Sequence, residues 1–203
     1  MHLHDLVQLT ARVRETTRKN EKIILIADFF KRTAGPETAL CASYLTGTLP
    51  QGKIGIGGRL IGTAFSLESA PHSSLTLQEV DTCFRQIAEE RGAGSAGRKM
   101  AALQRLLQQA DPDERRFLAQ LLMGELRQGA LEGLVLEAIA KAAALPAPEV
   151  RQAMMFSGNI GEVARVALEE GVSDWDDSHF ASFPRWLQCS PRPPTRSMRR
   201  SND

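Results

Sequence analysis

Cysteine is scarce in this chain. Three thiols in 203 residues (Cys41, Cys83 and Cys189) are an odd count set far apart, which excludes a disulfide framework and a thiolate metal cluster. Long apolar runs are missing as well: none approaches the roughly 18 residues that a membrane-spanning helix needs. A surplus of charge is missing too. Lys and Arg total 25 against 24 Asp and Glu, a formal net charge of +1, which argues against holding nucleic acid by bulk charge alone. The opening MHLHDLVQLTARVRE meets Asp5 and Arg12 too early for the apolar core of a signal peptide, so the expected location is the cytoplasm.

The usual catalytic devices are equally thin. None of the six lysines (Lys19, Lys22, Lys31, Lys53, Lys99 and Lys141) is followed by x-D-G, which rules out a lysine nucleophile of the K-x-D-G type in these residues. GIGGRLIG lacks the Lys-Ser/Thr pair of a phosphate-binding P-loop, and Gly55, Gly57 and Gly58 are spaced wrongly for a dinucleotide fingerprint. His2 and His4 lie at the terminus, where solvation is the expected state, and His72 and His179 are isolated, so no metal site is expected. Nothing assembles a nucleophile, a base and an orienting partner. No cofactor is expected in this chain.

What is there reads as helix. With 42% hydrophobic and 24% charged residues the chain is ordinary globular material, long enough to bury roughly 70% of its unfolded surface. Leu3, Leu6, Val7, Leu9 and Val13 recur at helical spacing, and Ile23, Ile24, Ile26, Ala27 and Phe30 form a second face. Pro36 opens a third helix at its first turn. Further helices are expected over 77–90, around Met100–Leu107, after the N-cap Asp111 with Pro112 and Glu114, over 131–144, over 148–156 and over 160–168. Residues 46–62 hold six glycines in seventeen positions, a density expected to exclude helix and leave a loop. The expected fold is therefore all-α over 1–171. Residues 172–203 form a separate tail: no glycine, both tryptophans, four of the ten prolines and five arginines, a composition expected to be largely disordered.

The helical body contains a repeat. Residues 21–52 align without a gap onto 98–129 at an offset of 77, with eight identities in 32 positions. The last eight share L-x-G-x-L-x-Q-G, through Leu45/Leu122, Gly47/Gly124, Leu49/Leu126, Gln51/Gln128 and Gly52/Gly129. Coincidence between two amphipathic hairpins is the alternative. A true duplication predicts two pseudo-symmetric helical halves with similar glycine turns on related surfaces, a geometry suited to a ligand of approximate twofold symmetry such as duplex nucleic acid.

Four glycine turns lead into helix starts, where free backbone amides accept phosphate. GAGSAGRKM places Gly94 and Ser95 before Arg98 and Lys99. GELRQG places Arg127 and Gln128 before Gly129. SGNIG contributes Ser157, Gly158 and Asn159, and the glycine-rich loop offers Lys53, Gly55, Gly57 and Arg59. Glycines allow close approach of a phosphate, and the cations add charge-assisted bonds. Each turn also fits an ordinary helix connection, with glycine as C-cap and serine or asparagine as N-cap.

The segments LTGTLPQGKIGIGG, LTLQEVDTCFRQIAEERGAGSAGRKMAALQRLL, and above all GELRQGALEG and MMFSGNIGEVA, resemble the N-terminal DNA-binding domain of bacterial-type ATP-dependent DNA ligases, from about Leu6 to Gly171. The resemblance implies an all-α domain of two pseudo-symmetric halves that grips duplex or nicked DNA by minor-groove and phosphate contacts, independent of sequence. It implies a role in DNA repair, replication and recombination, cytoplasmic and associated with the nucleoid. Contact roles carry over to Lys53, Gly55, Gly57, Gly94, Ser95, Arg98, Lys99, Arg127, Gln128, Gly129, Ser157, Gly158 and Asn159. ATP and Mg2+ are expected only for a full-length ligase, since the adenylated K-x-D-G lysine has no counterpart here. FPRWLQCSPRPPTRSMRRSND lies where the family's linker begins but does not continue its pattern. Two alternatives stand beside a ligase module: a truncated or decayed fragment acting as a helical interaction protein, and a subunit completed by a separate catalytic domain.

Overall fold

The computed structural model describes residues 1–56, 58, 62, 70, 73–126 and 129–170. Among these the regular structure is helical: α1 (Leu3–Glu15), α2 (Lys19–Phe30), α3 (Pro36–Leu45), α4 (Leu77–Glu89), α5 (Ser95–Gln109), α6 (Pro112–Met123), α7 (Gly129–Ala142), α8 (Ala147–Ser157) and α9 (Ile160–Glu170). The all-α expectation holds. The helix proposed over 131–144 starts two residues earlier and stops before Ala143, and that over 148–156 extends by one residue at each end.

Local chemistry sets several boundaries. Thr76 Oγ1 accepts the Glu79 N–H while Glu79 Oε2 accepts the Thr76 N–H, a reciprocal box that starts α4. The same arrangement starts α6: Asp111 Oδ1 accepts the N–H groups of Asp113 and Glu114, and Glu114 Oε2 accepts the Asp111 N–H. α1 and α4 begin from one short antiparallel bridge between His2 and Thr76. There the Leu3 N–H donates to the Leu75 carbonyl at 2.8 Å and the Leu77 N–H to the Met1 carbonyl at 3.1 Å.

The repeat has a structural counterpart. α2–α3 and α5–α6 are both helix hairpins, and they end alike at the offset of 77. Gly47 and Gly124 take φ of 70° and 73°, left-handed values that a Cβ opposes. Their N–H groups donate to Tyr44 and Leu121, and the next residues, Thr48 and Glu125, reach back to Ser43 and Gln120 at 2.8 and 2.9 Å. These closures satisfy carbonyls the helices would otherwise leave open.

Packing cuts across the sequence order. α2 lies on α7, and α3 lies on α9, with α7, α8 and α9 packed together; α1 joins α6, and α4 packs on α5. The first hairpin thus packs against helices that follow the second. Its core carries Phe29, Phe30, Ile26 and Tyr44, the last edge-on to Phe84 of α4 with ring centroids 6.4 Å apart. Leu103, Leu107 and Leu118 are buried in α5 and α6.

One expectation is corrected. Gly58 and Gly62 are helical, so the glycine density of 46–62 does not exclude helix there. A cost of about 1 kcal/mol per glycine is a weak preference that tertiary context overrides. Residues 46–56 do form the expected turns and irregular chain. The tail, 172–203, lies outside the described residues. Among the described residues no helix is long and apolar enough to cross a membrane.

Candidate nucleic-acid interface

The start of α5 differs from the other helix starts. Gly94, its N-cap at φ 75°, has no side chain, and no side chain caps the amides that follow. Ala96, Gly97 and Arg98 are exposed, and the space above Gly97 is open. No acidic residue lies in the first turn. The Ser95 N–H is taken by the Gly92 carbonyl, which leaves the Ala96 and Gly97 amides in a first turn that carries no carboxylate, a condition that favours an anion at a helix start.

Arg98 builds the loop before this helix. Its Nε donates to Glu90 Oε2 at 2.8 Å, Nη1 to the Ala93 carbonyl and Nη2 to the Arg91 carbonyl, each at 3.0 Å. The side chain stays half exposed, so its charge remains at the surface while three of its donors hold the 90–94 turn. Lys99 is placed otherwise than expected for a phosphate-reaching cation. It is buried, and its Nζ donates to the Ile54 carbonyl at 2.9 Å. Arg98 and Lys99 are adjacent on a helix, about 100° apart around it, so one faces out while the other faces in. A Cβ on Gly55, which has φ 70°, would come within 3.0 Å of Lys99 Nζ. Lys99 thus joins the Lys53–Gly55 loop to α5, bringing two of the four turns together, with Lys53 exposed beside Ile54.

The other two turns are built differently. Gly158, φ 61°, ends α8 through its N–H to the Met154 carbonyl. Asn159 Oδ1 accepts the Glu162 N–H, so its side chain caps α9, and Ser157 Oγ accepts the Asn159 N–H. Glu162 then puts a carboxylate into that first turn. Gly129 opens α7, whose first turn holds Glu132. Gly57, Arg59, Arg127 and Gln128 lie outside the described residues.

The sequence held a signal that the turn-by-turn reading passed over. Residues 91–110 contain four cations, Arg91, Arg98, Lys99 and Arg105, and no carboxylate. Arg98 and Arg105 are seven residues apart, which on a helix places them on one face about 10 Å apart, and both are exposed. At the equivalent positions of the first repeat, 77 residues earlier, stand Glu21 and Asp28. Both are exposed on α2, with Glu21 paired to Arg18 and Asp28 to Lys31. The duplicated scaffold therefore sets cation-paired acids on a neutral α2 where the cationic α5 carries arginines, and the expected pair of similar surfaces is electrostatically unequal.

His4 stays half exposed, as expected for the terminus, with its Nδ1 3.4 Å from Asp111 Oδ2, across the junction of α1 and α6. Glu114 is completely buried beside it. Burial pushes the Glu114 carboxyl above its ordinary value, against hydrogen bonds from Ser73 and the Asp111 backbone.

An all-helical domain with a duplicated hairpin is the class these observations define. Residues 66–140 match the family described as DNA ligase N terminus. The chain is 46% identical over 177 residues to a probable DNA ligase of Anaeromyxobacter dehalogenans strain 2CP-1, covering 85% of this chain and 34% of that protein. It is 41% identical over 172 residues to one of Streptomyces griseus (84% and 33%) and 38% identical over 173 residues to one of Sorangium cellulosum (85% and 32%). The chain spans about a third of the length of the curated relatives it matches. Residues 66–140 thus belong to the DNA ligase N-terminus family.

Proposed function

We propose that this chain is the DNA-binding module of an ATP-dependent DNA ligase, docking on duplex or nicked DNA through backbone contacts in repair, replication or recombination, in association with the nucleoid. One observation carries the reading: 85% of the chain aligns with proteins named as probable DNA ligases. The physical support is local. With a net charge of +1, attraction to phosphate has to come from placed groups. The acid-free segment 91–110, the uncapped start of α5 and the exposed Lys53 beside it supply such groups in one region.

In this reading α5 presents its first-turn amides to one phosphate, and the Arg98 and Arg105 face follows the backbone. Lys99 acts from below by holding the 53–55 loop against the helix. The contacts are with phosphate and sugar, so affinity is independent of base sequence. A K-x-D-G lysine is absent from these residues, so adenylation and sealing require a catalytic domain, in the same polypeptide or docked from another. The test is fluorescence anisotropy of the chain on nicked duplex across a salt series. Binding should weaken with salt at a slope of a few phosphates, each contributing about 0.9. Absence of binding at low salt would refute the reading and leave a helical interaction protein in its place.

A further inference from the structure

We propose that His4, Asp111 and Glu114 form a binding site for a divalent transition-metal ion of the zinc class, joining the first turn of α1 to the first turn of α6. A ring nitrogen of His4 and one carboxylate oxygen from each acid lie within 4.8 Å of one another. Those are the donor types and the donor number of an open zinc site, in which three protein ligands leave a position for water.

The capping box of α6 explains why one oxygen of each acid is free for this task. Asp111 commits Oδ1 to the amides of Asp113 and Glu114, and its Oδ2 faces His4. Glu114 commits Oε2 to the Asp111 amide. Its Oε1 is buried and accepts no hydrogen bond among the described residues, in a side chain that is 0% exposed. A buried carboxylate oxygen without a donor is costly, and a cation removes the cost. The half-exposed His4 and the partly exposed Asp111 leave an entry from solvent.

The arrangement is not a by-product of helix capping. A box needs only the side chains of Asp111 and Glu114, and α4 closes the same box from Thr76 and Glu79, where His2 lies near but no group of three ligand side chains gathers among the described residues. At α6 a second helix adds an imidazole to the spot where the box leaves its spare oxygens. The cation would offset the mutual repulsion of Asp111 and Glu114 and tie the N-terminal segment, already bridged to Leu75 and Leu77, to the second hairpin.

The test uses the full chain, stripped of metal with a chelator and titrated with Zn2+ against a chromophoric competitor, in the absence of DNA. One Zn2+ should bind per chain at micromolar or tighter affinity, and the thermal midpoint should rise with free Zn2+ as expected for a ligand of the folded state. His4→Gln changes a half-exposed side chain, and Asp111→Asn keeps a good N-cap; both should fold and weaken Zn2+ at least about tenfold. Co2+ added in place of Zn2+ should give a visible absorption band that His4→Gln abolishes. Binding weaker than micromolar would overturn the proposal. So would equal affinity in wild type and both variants, which would locate Zn2+ on other histidines or cysteines. Because no DNA is present, the outcome is independent of the proposed ligase role.

Discussion

Replacing Gly97 by aspartate sets two consequences of the α5 helix start against each other. Gly97 is exposed, lies in the first turn, and a side chain added there meets nothing within 4 Å. For the folded chain the change is favourable. Aspartate has a better helix propensity than glycine by a few tenths of a kcal/mol, and a carboxylate near the positive end of the helix adds about 0.3–1 kcal/mol. The sum, roughly 0.5–1 kcal/mol, corresponds to a rise in Tm of about 1–4 °C for a domain of this size. For DNA the sign reverses. The new charge sits where the proposed phosphate contact lies. At about 5 Å the repulsion is about 0.8 kcal/mol in bulk water and about 3 kcal/mol at an effective dielectric constant of 20. The expected result is a fourfold to hundredfold loss of affinity for nicked duplex, with the salt slope shallower by about 0.9 as one phosphate contact is lost. The assay pairs anisotropy titrations at several salt concentrations with a thermal melt. Asn20→Asp is the control, since Asn20 is the equivalent exposed position in the first turn of α2, beside Glu21. It should gain stability without losing DNA. Gly97→Asp with a raised Tm and unchanged affinity would show that α5 does not face the duplex.

Gly161→Ala tests the crossing of α9 on α3. The added methyl would lie 2.6 Å from Ser43 Oγ and 2.8 Å from the Ala39 carbonyl, backbone that cannot turn aside. Overpacking of about 1–3 kcal/mol should outweigh the gain of up to about 1 kcal/mol in helix propensity, so urea denaturation should report a net loss. Stabilisation would mean the helices part freely. Glu114→Gln tests burial in the chelator-treated chain. The folded-state pKa of Glu114 is raised by burial and by Asp111, opposed by Ser73, the Asp111 amide and His4. The folded state therefore holds the proton to higher pH than the unfolded state, and the Glu114 contribution to stability falls as pH rises between the two values. Glutamine preserves the capping box without that slope. Melts from acidic to neutral pH should show the variant gaining on wild type, and a difference independent of pH would refute the assignment.

Most helices were legible because their determinants are local. Pro36, the Asp111-Pro112-Glu114 run and the glycines that end α3 and α6 act within four or five residues of where they stand. The repeat was legible for the same reason, since the Gly47 and Gly124 closures repeat a short pattern. The interface was legible only in part. A glycine turn before a cation reads the same whether the side chain points out, as Arg98 does, or in, as Lys99 does, and a shift of one residue on a helix decides between them. His4 could not be connected to Asp111 from the sequence, because 107 positions separate them.

By itself, then, the sequence determined the helical class, the duplication, the caps and the charge contrast between α2 and α5, all of which depend on neighbouring residues or on periodicity. Tertiary structure alone decided that the first hairpin packs against α7 and α9, that Lys99 rivets the Ile54 loop, and that His4 meets two carboxylates at the start of α6. The physical reason is common to all three. Side chains brought together by packing compete for the same buried donors and acceptors, and the outcome depends on distances in space that spacing along the chain does not encode.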